Sequence, residues 1–435
     1  MRVVSVSSLK GDEILGKQIF DESGRVLLSV GVKLKPYYVE RIKELGIYSV
    51  YIDDDISKNV IIEESISEKT RQMSKHAVKE MIEGYCREGK TDNSSVMNSV
   101  NSVIEDVLSN KNVLINVAEI SASDNNIYSH SVNVCVLSTI IGTHMGYSAL
   151  KLKDIATGAM LHDIGKIKII NDKKILAEFK TKEELDKYIE LMHPKVGYDF
   201  LGEQHVWNAH VKVAVLMHHE RSDGSGYPLK LNGDEINQIA KIVSICDVFD
   251  NLISGRITGE RKPVYEVIEY LVGMSNIYFD AEMVRKFTMN IAAFPTGSGV
   301  ILSSNEKGLV VKQNNSMPMR PMVKVIYDKA GNVLLEPYEI DLLKELIAKQ
   351  ARFDFIFIDA NKKSNPTYVE LGLQLLTEKG IIVIDNTLWD GEVIHPDDSL
   401  SKAIAHLNDE LVKRNDIEVL LLPIRDGITL IRRKT

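Results

Sequence analysis

The middle of this chain sets polar side chains where apolar ones belong. Between residue 116 and about 290, the runs "LKDIATGAMLHDIGKI", "VKVAVLMHH" and "IAKIVSICDVFDNLIS" repeat apolar residues at helical spacing, so each has one face for a core. Imidazoles and carboxylates stand within these runs or at their ends. They are His130 in "YSHSVNV", His162-Asp163 in "MLHDIGK", His193 in "LMHPKVG", His218-His219 in "LMHHERSDGSGYP" and Asp247 in "SICDVFD". Burying such groups without partners is costly. Successive helices that each offer a His or Asp inward form a mostly-α bundle with a metal site in its core.

The residue types fit that purpose. A neutral imidazole gives one nitrogen and no charge, so a His-rich site leaves a bound ion Lewis-acidic. A carboxylate has two oxygens and can join two ions. Asp163 is the candidate bridge, with His130, His162 and Asp247 on one side and His193, His218 and His219 on the other. This mixed set suits two divalent ions, Fe or Mn, better than a Cys-bound structural zinc. His76, His144, His205, His210, His395 and His406 read as ordinary surface or core residues.

The flanks read differently. Residues 1–60 form a small α+β unit: "GKQIFDESGRVLLSVGVKL" signals a hairpin and "YYVERIKELGIYSVYI" a helix and a strand. Asp53-Asp54-Asp55 reads as a solvated turn. Residues 61–115 are a helical connector. The helical domain spans 116–340 and is closed by a hairpin in "FPTGSGVILSSNEKGLVVKQ". In 341–435, "FDFIFIDA" and "GIIVIDN" are buried-strand runs separated by helical sequence, a partial α/β segment. The fold class is therefore multidomain. A net charge of -8 argues against a nucleic acid polymer as ligand. Cys86, Cys135 and Cys246 offer no disulfide framework, and no run has signal-peptide layout or membrane-spanning length. A cytoplasmic protein without membrane contact is expected, and the oligomeric state stays open, a homodimer included.

"HDIGK" followed by "HHERSDGSGYP" resembles the HD-GYP family, whose signature is HDxGK and HHExxDGxGYP. The similarity runs from about 116 to 335, and residues 1–60 resemble a small domain found ahead of bacterial HD-GYP domains. The resemblance implies a metal-dependent phosphodiesterase that opens cyclic di-GMP to linear pGpG, and in some members on to GMP. Asp163 and Lys166 would be catalytic, with Lys166 on the phosphate. Arg256 stands where similar proteins place a substrate-binding arginine, and Asp223 and Tyr227 would line the substrate site. The GYP loop is implicated in contacts with diguanylate cyclase domains. Asn126 replaces a Glu that extends some members to a third metal, so a dinuclear centre is expected. Gly259 replaces a substrate-contacting lysine, with Arg261 and Lys262 within reach. The alternative is a catalytically weak sensor that binds the cyclic dinucleotide and signals through protein contacts.

"FDFIFIDANKKSNPTYVELGLQLLTEKGIIVIDNTLWDGEV" and "LLPIRDGITLIRRK" resemble the second half of cation-dependent, catechol-type O-methyltransferases, with a Rossmann-like fold. By that resemblance Asp359, Asp385 and Asn386 match divalent-cation ligands and Lys362 a catalytic lysine. No strand–GxGxG–helix unit precedes Phe353, and "TGSG" at Thr296–Gly299 opens no helix. Methyltransferase activity is therefore not expected. The segment reads as a fusion remnant, an assembly surface or a splice artefact.

Overall fold

The computed structural model describes residues 1–21, 25–88, 91–110, 114–115, 126–257, 259–302, 304–314, 318–340, 351–359 and 362–434. The expected domain starts at 116 and 341 lie outside the described residues. The chain divides into two compact units, Met1–Ile301 with Leu309–Gln313 and Leu302–Gly308 with Asn314–Thr435.

The first unit opens with strands β1 (Arg2–Ser5), β2 (Ile14–Leu15), β3 (Ile19–Phe20), β4 (Val26–Leu28) and β5 (Ser49–Asp53). β5 lies between β1 and β2, antiparallel to both, while β3 and β4 form the expected hairpin. Helix α1 (Pro36–Glu44), begun by a proline in its first turn, packs Val39 and Ile42 onto Leu15, Val50 and Ile52. Asp54 caps a short turn by accepting from Ser57 N and pairs with Arg2 at 2.8 Å, so one of the three consecutive aspartates is more than a solvated turn.

Helices α2 (Glu68–Glu88) and α3 (Asn93–Ser109) lead into the bundle. Its axis is α4 (Ile127–His144), buried without interruption from Ser129 to Gly142. A helix buried on all sides must be surrounded. The bundle continues with α5 (Ala149–Leu161), α6 (Ile164–Ile170), α7 (Lys173–Leu176), α8 (Lys182–Glu203), α9 (Ala209–Met217), α10 (Gln238–Ser254), α11 (Val264–Gly273) and α12 (Ala281–Thr288), and α2, α3, α5, α10 and α12 pack against α4. Cys135 and Cys246 are buried free thiols; the Cys86 side chain is outside the described ones.

Strands β6 (Gly299–Ile301) and β7 (Lys307–Lys312) follow the bundle, and the hairpin of β8 (Met322–Tyr327) and β9 (Val333–Ile340) groups with the second unit. That unit continues with β10 (Phe353–Ile358), α13 (Asn365–Leu375), β11 (Leu376–Asp385), α14 (Ser399–Lys413), β12 (Ile417–Leu422) and β13 (Ile428–Arg433). Its sheet runs β10-β11-β13-β12, parallel between β10 and β11 and antiparallel elsewhere. Ile358, Val369, Ile382, Ile384, Leu407 and Ile431 form its core.

Candidate metal centre

Five helix segments deliver the seven side chains. His130 lies in the first turn of α4, where Asn126 caps the helix by accepting from Ser129 N at 2.8 Å. That cap commits the Asn126 carbonyl oxygen. His162 ends α5, and Asp163 adopts φ -94°, ψ 9° before α6 starts. This bridge-region conformation turns two consecutive side chains toward one point. His193 projects from α8, His218 and His219 from the end of α9, and Asp247 from α10. Gly165 makes the close approach possible, because a Cβ there would overlap the His193 carbonyl oxygen.

All seven meet. His130, His162 and Asp163 bring ligand atoms within 4.8 Å of one another, as do Asp163, His193, His218 and His219. Asp163 belongs to both groups. Asp247 Oδ1 lies 3.1 Å from His130 Nε2 and 3.6 Å from His162 Nε2, and Asp247 Oδ2 lies 3.9 Å from His219 Nδ1.

Hydrogen bonds on the far sides of the rings show what the near sides want. His162, His193 and His218 each donate Nδ1–H to a backbone carbonyl, Ala159, Ile189 and Val215, at 2.7, 2.8 and 2.7 Å. His130 Nδ1 donates to Asp250 Oδ2 at 2.6 Å. An imidazole in its neutral form has one N–H, so with Nδ1 donating, Nε2 is left with a lone pair, the form a metal ion binds. Those lone pairs face each other: His130 to His162 at 3.1 Å, His193 to His218 at 3.1 Å. Facing acceptors repel, and a cation between them removes the repulsion. Asp163 Oδ1 is buried without a hydrogen bond; Lys166 Nζ reaches within 2.8 Å of both oxygens, but its geometry suits only Oδ2. The donor set fits divalent metal ions.

The electrostatics agree. Burial pushes His218 and His219 well below the ordinary histidine range, and His193 to about 4 despite the pull of Asp163. Burial raises Asp163, but Lys166 and the histidines outweigh it and hold the carboxyl well below the usual range. The adjacent His130 and His162 rings do the same for Asp247 against its burial. His130 is driven down by burial and by Arg256, yet Asp247 and Asp250 win and raise it. His193, His218 and His219 are thus favoured as neutral imidazoles and Asp163 and Asp247 as ionised carboxylates, the forms that ligate metals.

The loop after His219 is built around Glu220. This carboxylate is buried and accepts from Leu229 N at 2.7 Å and Leu231 N at 3.0 Å. A Cβ on Gly226 would overlap the backbone of Glu220 and Arg221, which explains the second glycine of "DGSGYP". Tyr227 stacks on His219 with ring centroids 4.7 Å apart. Asp223, by contrast, is exposed and holds a turn by accepting from Ser225 N and Oγ at 3.0 and 2.6 Å. Gly255 ends α10 at φ 68°, and Arg256 follows with a buried Nη1 that makes no hydrogen bond among the described residues. Arg261 lies over the Tyr48 ring at 3.9 Å, whereas Lys262 is exposed.

Sequence reasoning missed Asp250, Asn133, Arg71 and the structural role of Glu220. Asp250 had a signal: it lies three residues after Asp247, on the same helix face.

In the second unit, Lys362 Nζ lies 2.8 Å from Asn386 Oδ1, 3.1 Å from the Asp385 carbonyl and 3.4 Å from Asp359 Oδ1. The Asp359 side chain is 56% exposed, so water shares its charge.

Comparison with known proteins matches the two regions separately. A family model described as "HD domain" matches residues 103–283, and one described as "O-methyltransferase" matches 310–434. The chain is 28% identical to the cyclic di-GMP phosphodiesterase PA4108 of Pseudomonas aeruginosa, over 58% of this chain and 60% of that protein. It is 34% identical to a cyclic di-GMP phosphodiesterase of Thermotoga maritima, over 36% of this chain and 43% of that one. The chain thus spans less than two thirds of either phosphodiesterase. It is 36% identical to probable caffeoyl-CoA O-methyltransferase 2 of Dictyostelium discoideum, over 34% of this chain and 69% of that protein. No helix among the described residues is long and apolar enough to cross a membrane. The chain therefore carries an HD domain whose relatives include cyclic di-GMP phosphodiesterases, and its C-terminal part belongs to the O-methyltransferase family.

Proposed function

We propose that the helical region hydrolyses cyclic di-GMP to linear pGpG, using two divalent ions, Fe or Mn, that His130, His162, Asp163, His193, His218, His219 and Asp247 would hold. The observation that carries this reading is the set of facing lone pairs on His130, His162, His193 and His218 around Asp163. Divalent ions held there would supply a water of lowered pKa and Lewis acidity toward the phosphate oxygens. The new P–O bond forms from water, the bond to the ribose O3′ breaks, and the leaving oxygen takes up a proton.

The chain's own groups do the rest. Lys166, whose side chain is 20% exposed, is close enough to the centre to donate to a phosphate oxygen and offset developing charge. Arg256, with its unused Nη1 donor, binds a phosphate or a guanine edge in bidentate fashion. The Tyr227 ring walls the His219 side of the site and excludes water there. The Asp223–Lys230 loop, exposed at Asp223, Ser225, Leu229 and Lys230, is the surface for diguanylate cyclase domains in a cytoplasmic signalling role.

The test is to incubate Mn- or Fe-loaded protein with cyclic di-GMP and follow the linear product chromatographically. Turnover that depends on metal is expected. Absence of product at full metal occupancy would leave binding without catalysis and overturn the proposal.

A further inference from the structure

Behind His130 a hydrogen-bonded chain runs outward to a helix that precedes the matched HD region. Asp250 Oδ2 accepts from His130 Nδ1 at 2.6 Å, and Asp250 Oδ1 accepts from Asn133 Nδ2 at 3.0 Å. Asn133 Oδ1 in turn accepts from Arg71 Nη1 at 2.9 Å. The four residues are 1%, 1%, 3% and 5% exposed, in the order His130, Asp250, Asn133, Arg71. Arg71 lies in α2, ahead of residue 103 where the HD match begins.

The order of donors and acceptors leaves little freedom. Arginine can only donate, so it fixes the amide oxygen of Asn133 toward itself. The amide nitrogen must then face Asp250. A flipped amide would set two donors together at one end and two acceptors at the other. With Asn133 fixed, Asp250 keeps one oxygen for His130, which sets the Nδ1–H tautomer and aims the Nε2 lone pair at His162, Asp163 and Asp247. Arg71 also lines a cavity with Lys17, Gln18 and Tyr51 of the N-terminal sheet unit.

We propose that Arg71 is a positioning residue for the metal ligand His130, acting through Asn133 and Asp250, so that α2 and the N-terminal unit set metal affinity on the His130 side of the centre. This rests on the metal-centre reading above but not on phosphodiester hydrolysis. A change at the Arg71 cavity would therefore reach the centre without touching substrate.

The test uses the full chain, loaded with Mn and read by metal-binding isotherms and the electron paramagnetic resonance spectrum. Arg71→Ala is expected to weaken one of the two ions about 10- to 100-fold, the range for residues that orient a ligand from behind, and to alter the spectrum of that ion. Asn133→Ala should do the same. The double variant should be no weaker than Asn133→Ala alone, because both act through one path. Arg71→Lys, which keeps a donor, should recover part of the loss. Wild-type affinity and spectrum in folded Arg71→Ala would overturn the proposal. If Arg71→Ala does not fold, Arg71→Lys decides: a weakened ion supports the path and an unchanged isotherm and spectrum refute it. Loss of hydrolysis assays altogether would leave these readouts intact.

Discussion

The two halves of this molecule each gather carboxylates and other metal-type donors, and they resolve the resulting charge in opposite ways. In the helical region the donors are buried, and their ring nitrogens point at one another across about 3 Å, with the Lys166 ammonium beside Asp163. In the second unit, the buried Lys362 ammonium itself sits among Asp359, Asp385 and Asn386, and Asp359 is largely in water. The difference teaches that donor identity alone does not create a demand for metal. Burial without internal compensation does, because solvent can no longer stabilise the charge.

The contrast can be broken most directly at its carboxylates. Asp163→Ala should abolish metal binding and hydrolysis together, while Asp359→Ala should leave hydrolysis unchanged; metal analysis beside the cyclic di-GMP assay checks both. Normal hydrolysis by Asp163→Ala would show that the bridge assignment is wrong. Next come two glycines. Gly165→Ala forces a Cβ into the His193 carbonyl and should cost about 3 kcal/mol. Gly391→Ala, at φ 86° with open space around it, should cost about 1–2 kcal/mol. Trp207 reports on the helical region and Trp389 on the second unit, so single-tryptophan variants in denaturant read each effect separately.

Acid sharpens the comparison further. His193 falls from 6.5 to about 4 in the fold, and burial also lowers His218 and His219. At these three sites the unfolded chain binds more protons than the native one, so their joint contribution to stability rises with pH and outweighs the single raised His130. The metal-free helical region should therefore lose stability as pH falls from about 6.5 toward 4, seen at Trp207. The smallest expected effect is none at all: calorimetry with S-adenosylmethionine should give no binding heat. Micromolar binding would mean that the second unit holds a cofactor pocket despite lacking the glycine-rich turn.

Much of this was legible in the residues. Helical periodicity in the middle and compact strand runs near the end announced the two architectures, and the four β-strands and two helices of the second core follow those runs. The clustered histidines were visible because they stand in or at the ends of apolar helical runs. Asp250 was harder to see. It differs from Asp247 by three positions on one helix, and nothing local says that one turns to the centre and the other to the ring behind it. Asp223 shows the converse case, a motif residue whose side chain is taken by Ser225 in its own turn.

By itself the sequence determined which donors exist, their order along the chain and the glycines that permit close approach. These depend on residue type and helical period, which are local properties. Only the tertiary structure decided which lone pairs face each other and that Arg71 reaches Asp250 through Asn133. Those contacts join residues 62 and 117 positions apart, and they form only when packing excludes water and brings the buried polar groups within reach of one another.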